Sequence, residues 1–411
     1  MTKRGGSLVA WCEERDMRYD VLLKGGRVVD PKNDRDAVMD VAVHNGRVAA
    51  VAEGIPEAQA VQTLDVAGRL VTPGLIDAHL HVYVNACDMG PQTDEFCAVS
   101  GVTTICDGGS AGASIFAGFR EFVERRVATR CRAFVHLSRL GLTGCEAVGE
   151  LADRRYADAE ACARTIRDNR DFAVGVKVRI GPGMTWDPLE ALRVAREAAD
   201  SAAVPLMVHV TDCPVPLDTA IAHLKTGDIV SHCYHGFTHG IFNPERTAIL
   251  DPIWEARRRG VLFDSAHGRM GHFSFPLVRR AIEIGFLPDI ITTDLSIHSA
   301  TRGPVFDLAT TMSKFLALGA PFNEVLLRTT YRPAQLLGLA EGLGHLSPGA
   351  VADIAVLELQ TGDFEFVDTD KGILQAKQRI VAVMTIRNGR ICYQAGEPLG
   401  SPSLRVRRLW N

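Results

Sequence analysis

Two histidines stand two residues apart in Gly74-Leu75-Ile76-Asp77-Ala78-His79-Leu80-His81. Side chains alternate along a β-strand, so residues two apart face the same way. His79 and His81 would present two imidazoles to one point, as a divalent metal requires. Asp77 shares their parity and could fix a histidine tautomer from behind, or be structural. Further along, Lys177 lies inside the apolar run VGVKVRI, His209 ends PLMVHV, His232 ends DIVSH and Asp294 ends DIITTD. Taken singly these have ordinary readings: a core ion pair, strand-end histidines bonded to backbone, a helix cap. Together they form a candidate ligand set. A lysine among four histidines and a carboxylate can capture carbon dioxide and become a carbamate anion that bridges two cations. A protonated lysine would repel them.

Such residues need a scaffold that brings distant strand ends to one place. Short apolar runs at 74–84, 102–107, 132–137, 173–180, 205–210, 228–232, 262–264 and 290–293 read as strands. Helix-like stretches at 112–128, 157–168, 188–201, 252–260 and 275–284 lie between them. Eight strand–helix alternations predict an α/β fold, a (β/α)8 barrel, with a doubly wound open sheet as the alternative. In a barrel the active face lies at the C-terminal ends of the strands, where all six candidates fall. The two chain ends read differently. YDVLLKGGRVVD and MDVAVHNGRVAAVA near the start echo ADIAVLEL and QRIVAVMTIRNGRICY near the end. Asn45-Gly46 and Asn388-Gly389 are tight-hairpin signals, because both residues accept positive φ. One small β-sandwich built from both ends is the expectation. The domains are then 1–18 as an N-terminal extension, 19–72 and 345–411 as the sandwich, and 73–344 as the metal-binding barrel.

Composition excludes several classes. The chain has 411 residues, 45 Lys+Arg against 49 Asp+Glu and a net charge of −4, so no basic excess points to nucleic acid or anionic lipid. No G-x-G-x-x-G follows a strand and no phosphate-binding P-loop is present. No stretch has the ~18 apolar residues of a membrane helix. The first sixteen residues lack a signal-peptide core and read as an upstream translation start or a loose tail. Ten cysteines without a C-x-x-C pair read as reduced, mostly core thiols of a cytoplasmic protein.

With these motifs in order, the sequence resembles the amidohydrolase superfamily, and within it the dihydroorotase-like and deacetylase-like metallohydrolases. The resemblance covers residues 19–395 and is carried by PGLIDAHLHV at 73–82, GVTTICDGGSAG at 101–112, GVKVRI at 175–180, MVHV at 207–210, VSHC at 230–233 and ITTD at 291–294. The late GLGHLSPGAVADIAVLEL and RNGR match as well. It implies a barrel with a β-sandwich and two divalent ions, usually zinc. His79, His81 and Asp294 would hold the more buried ion, His209 and His232 the other, with carboxylated Lys177 bridging. It also implies hydrolysis of an amide or ester bond, in a small N-acyl or O-acyl carboxylic acid, by a metal-bridging hydroxide. Asp294 serves as general base and acid. The alternatives are cyclic-amide ring opening and, in another class, a barrel that has lost catalysis and acts as a binding partner. All six ligands are intact, which argues against the last. The partner implied is a small molecule, and a homo-oligomer follows from the resemblance alone.

Substrate contacts are read from loop positions. His267 follows the seventh strand and could bind a carboxylate or oxyanion. Arg179 lies two residues beyond Lys177 on the same strand face, where it could pair a substrate carboxylate or a structural acid. His298 and Ser296 follow Asp294. Tyr83 stands where dihydroorotases carry the arginine of H-x-H-x-R, and could donate a hydrogen bond or simply pack. His235 and His239 read as spare imidazoles of a glycine-rich loop, and His44, His223, His272 and His345 as structural.

Overall fold

Seven parallel strands follow one another in one sheet in chain order: Leu75–Leu80, Val102–Asp107, Arg130–His136, Ala173–Arg179, Leu206–His209, Ile229–Ser231 and Leu262–Asp264. The computed structural model describes residues 18–396 apart from Gln92. The expectations for residues 1–16 and for the chain beyond 396 lie outside the described residues. Residues of the first two strands are buried throughout, as their continuous apolar runs require of a sheet covered on both faces.

The run 290–293, expected as an eighth strand, forms no ladder. Its segment is held by single parallel bridges, Ile290 to Asp264 of the last strand and Leu295 to Leu80 of the first. Side-chain bonds take over from backbone pairing here. Asp77 accepts the Thr293 hydroxyl and, at 3.1 Å, the Thr293 amide. The Asp294 amide donates to the His79 carbonyl at 2.7 Å. The sheet is therefore curled, with its first and last strands sharing one segment.

Helices pack outside the strands, among them Phe116–Arg126, Ala159–Asp168, Pro188–Ala202, Asp251–Arg258 and Phe275–Ile284. Pro188–Ala202 shows why they form where they do. Asp187 caps it by accepting the Glu190 amide, proline occupies the first turn, and the chain leaves through Ala203 at φ 54°. Its buried face is Ala191, Leu192, Val194, Ala195, Ala198, Ala199 and Ala202, a helical stripe of mostly small residues that lets it lie close to its neighbours.

The second sheet is mixed and draws on both ends of the described chain. In it Leu70–Pro73 runs parallel to Tyr19–Asp30 and antiparallel to Ile354–Val367. Both expected hairpins are present. Asn45 and Gly46 (φ 49° and 73°) join Arg35–His44 to Arg47–Ala52, and Asn388 and Gly389 (φ 50° and 74°) join Ile373–Arg387 to Arg390–Gln394. An apolar cluster of Val21, Leu23, Val41, Val43, Val71, Ile354, Val356 and Ile386 binds the early and late strands together. Each such side chain contributes roughly 1.5–3 kcal/mol by leaving water. The nine described cysteines are free thiols. Among the described residues no helix is long and apolar enough to cross a membrane.

Candidate active site

His79 is delivered by the strand Leu75–Leu80, and His81 follows directly after it. Both are buried, and each is held through Nδ1. His79 Nδ1 donates to Asp264 Oδ2 at 2.8 Å, with Ser231 Oγ at 3.1 Å. His81 Nδ1 meets Ser110 Oγ at 2.9 Å, and that hydroxyl donates to Asp107 at 2.7 Å. Asp107 also accepts the amides of Val82, Gly109 and Ser110, so one buried carboxylate fixes the loop behind His81. With Nδ1 engaged, each ring keeps the lone pair of Nε2 for the site.

The glycines of Asp107-Gly108-Gly109 are there for clearance. A Cβ on Gly108 would stand 2.3 Å from His79 Cδ2, and one on Gly109 would stand 2.7 Å from Lys177 Cβ. Lys177 is fully enclosed, with Nζ 3.0 Å from His79 Nε2 and 3.3 Å from Met207 Sδ. Burial lowers its pKa to about 8, although Asp294 and Asp264 pull the other way.

His209 and His232 come from the fifth and sixth strands and face one another with ring centres 4.3 Å apart. His232 Nδ1 donates to the Ala266 carbonyl at 2.8 Å, so its Nε2 is also free to ligate. His209 Nε2 is buried without a hydrogen-bond partner among the described residues. Asp294 stands between the two groups in the left-handed region at φ 49°, a strained conformation for a non-glycine residue. Its Oδ1 lies 3.2 Å from His81 Nε2 and 3.7 Å from His79 Nε2. Its Oδ2 lies 3.6 Å from His272 Nδ1 and 3.9 Å from His232 Nε2. Burial opposes the charge, but the imidazoles of His272 and His81, with those of His232 and His79 close by, hold the carboxyl well below its usual range. Burial holds His79, His209, His232 and His272 below the ordinary imidazole value.

All six sequence-predicted ligand candidates thus meet in one buried cluster. The other predicted residues fare differently. Arg179 reaches its rim, but its Nε lies 3.2 Å from the buried Glu150 carboxylate, so a protein acid already takes one edge of the guanidinium. His267 is turned away: Nε2 meets Lys314 Nζ at 2.8 Å, Nδ1 meets the Gly268 carbonyl at 3.2 Å, and the ring stacks on Phe273. Tyr83 packs against Phe119 and Phe122. His298 is part-exposed, 3.8 Å from Glu146, and Ser296 caps its helix in a capping box with Ser299. Asp77 does not orient either histidine ring; it anchors Thr293, beside Asp294, and burial raises its pKa to about 7.

Two residues escaped the sequence reading. His272, expected to be structural, lies in the cluster, its ring centre 4.2 Å from His232 and 5.3 Å from His209. No periodicity marks it, because the loop 268–271 folds it back. Gly268 and Gly271 both take positive φ, and a Cβ on Gly268 would meet His272 Nδ1 at 2.4 Å. The two glycines bracketing Arg269-Met270 were the available signal. Asp264, the acceptor for His79, was visible only as a carboxylate ending the seventh strand.

Ligand atoms of His79, His81 and Asp294 lie within 4.8 Å of one another, as do those of His232, His272 and Asp294. The converging Nε2 lone pairs and the unpartnered His209 Nε2 fit divalent cations. A model of the amidohydrolase family matches residues 70–392. The chain belongs to this family. An amidohydrolase is a hydrolase, and this one carries the donor groups for metal. It is 34% identical over 338 residues to a deacetylase of Brucella anthropi, covering 82% of this chain and 83% of that one. A crystal structure described as an adenine deaminase superposes with a TM-score of 0.83 at 31% identity, covering 91% and 99% of the two chains. One described as a dihydroorotase superposes at 0.82 with 30% identity, covering 91% and 97%. Three activities on one amidohydrolase fold mean that the pocket, and not the barrel, sets the substrate.

Proposed function

We infer that this amidohydrolase is a binuclear metal-dependent deacylase that cleaves an amide or ester of a small carboxylate-bearing molecule. The observation that carries the reading is the convergence of the His79, His81, His232 and His272 imidazoles on Asp294, with the enclosed Lys177 against His79 and His209 against His232. The likeness to a deacetylase supports an open-chain substrate. So does Tyr83, which occupies the dihydroorotase arginine position but packs into an aromatic cluster instead of facing the imidazoles. Cyclic-amide opening is the second reading, favoured by the likeness to the dihydroorotase structure.

In this reading His79, His81 and Asp294 would hold one ion, and His209 and His232 would hold the other. Lys177, as a carbamate formed when its neutral amine adds to carbon dioxide and releases a proton, would supply oxygen donors to the ions. Zinc suits a nitrogen- and oxygen-rich set. When bound, two such cations supply a water acidic enough to attack at neutral pH and an electrophile for the substrate carbonyl. Asp294 takes the proton from the attacking water and passes it to the leaving amine or alkoxide. The terminal nitrogens of Arg179, which make no hydrogen bond to the described residues, pair the substrate carboxylate while Glu150 steadies the guanidinium. The architecture in this reading is a TIM-type barrel over residues 73–344, closed by the bridged segment 290–295, with a β-sandwich from 19–72 and the described residues after 345. The free thiols suit a reducing cytoplasm.

The test is a hydrolysis panel run on zinc- and bicarbonate-loaded enzyme with Asp294→Asn as the blank. It contains N-acyl amino acids, O-acyl hydroxy acids, dihydroorotate and hydantoins. Turnover of open-chain compounds alone is expected. Turnover of rings alone would move the chain to the second reading, and silence with two metals bound would refute both.

A further inference from the structure

A cavity of about 510 Å³ lies between the segment following Leu206–His209 and the segment following Ile229–Ser231. Its wall sets an apolar part, Leu217, Phe237, Phe242, Leu250 and Leu277, beside a polar part that includes Asp218, His235, Asn243 and Arg246. That volume lies within the roughly 300–1,000 Å³ of small-molecule sites.

Three contacts join this cavity to the histidine cluster. The His235 amide donates to the His232 carbonyl at 3.2 Å. The Gly236 amide donates to the Gly271 carbonyl at 2.9 Å, one residue before His272. The Phe237 ring lies so close to Gly271 that a Cβ there would stand 2.6 Å from it. The wall is therefore backbone-bonded to both segments that bring imidazoles to Asp294.

His235 is the polar feature of the wall that lacks an explanation. Its side chain is buried, and Nδ1 accepts the Phe237 amide at 3.3 Å. The ring proton then resides on Nε2, which has no hydrogen-bond partner among the described residues. A buried donor without an acceptor is costly, and native structures rarely leave one unless something else bonds it.

We propose that this cavity is the subsite for the apolar portion of the substrate acid, and that His235 Nε2–H donates to an oxygen carried on that portion. The proposal rests on the deacylase reading for the identity of its occupant. It makes the segment 235–250 the determinant of which acid is accepted, separate from the groups that cleave the bond.

The experiment is calorimetric titration of the full-length, zinc-loaded enzyme with straight-chain alkanoates of two to eight carbons. Affinity should rise with each methylene, by up to about fourfold per step, until the cavity is filled. Leu277→Trp should flatten the series, and Thr238→Trp on the exposed rim should do so without disturbing the core. A 4-oxoalkanoate should bind more tightly than the parent alkanoate, and His235→Phe should abolish that preference. A series flat in the wild type, absent binding at every length, or a rise untouched by both tryptophans would overturn the subsite. Binding that rises in an enzyme without hydrolytic activity would keep the subsite and sink the deacylase reading instead.

Discussion

His79 donates Nδ1–H to Asp264 at 2.8 Å, and Asp264 is itself fixed by the Thr292 hydroxyl and, at 3.0 Å, the Ala266 amide. The carboxylate from the seventh strand thus decides which nitrogen of a first-strand histidine faces the site. Asp264→Asn should weaken metal binding about 10–100-fold, the usual effect of losing such a partner. Competition against a chelator measures this; unchanged affinity would show that Ser231 alone suffices.

Asp294 touches both groups of imidazoles, yet its proposed chemical task needs only one carboxylate oxygen to move a proton. Asp294→Asn keeps an oxygen ligand and loses the base. Turnover is expected to fall about 10²–10⁴-fold while metal content, read by elemental analysis, is largely kept. Full activity in this variant would remove Asp294 from proton transfer.

Lys177→Ala removes the proposed bridge. The variant should bind fewer than two metals, and a short carboxylic acid added to the buffer should restore the second. Two ions retained without that addition would show that no carbamate is needed. Since the free amine, with a pKa of about 8, is the form that adds carbon dioxide, reactivation of metal-free enzyme by bicarbonate and zinc should quicken between pH 7 and 9.

Metal-free protein should lose stability as pH falls below about 6.5. The fold holds His79, His209, His232 and His272 below their ordinary pKa, chiefly by burial. Above 6.5 both states carry these rings neutral and nothing is lost. Below it the unfolded chain binds protons that the folded chain refuses, so the free energy of unfolding drops with pH. Thermal unfolding of the chelated protein from pH 7.5 to 5 reads the slope; a flat profile would mean that the rings are solvated.

Gly109→Ala should abolish metal binding more thoroughly than its size suggests. The position has φ +95°, and the added methyl would meet Lys177 Cβ at 2.7 Å. Metal content beside that of an exposed alanine control gives the answer.

Strand parity and position made six of the cluster residues legible, because His79, His81, Lys177, His209, His232 and Asp294 all lie on or just past apolar runs whose period is visible. His272 was not legible, since a loop bent by two glycines has no period to read. His267 misled for a related reason. It occupies a promising place in the chain, but Lys314 arrives from the helix Leu308–Ala317 and takes its Nε2. The expected eighth strand failed because Asp77 and the His79 carbonyl secure Thr293 and Asp294 without a ladder. Such long-range side-chain partners leave no local mark.

The pairing of Leu70–Pro73 with Ile354–Leu357 has a consequence for the order of assembly. Some 280 residues, including every strand of the curled sheet, are synthesised between those two partners. On the ribosome the early strands Tyr19–Asp30 and Leu70–Pro73 must wait, with one edge open, until the late strands emerge. Contacts this far apart in sequence form slowly. An exposed edge that waits is an aggregation hazard, and a nascent chain stalled before residue 354 would carry an assembled cluster of metal ligands on an unfinished second sheet.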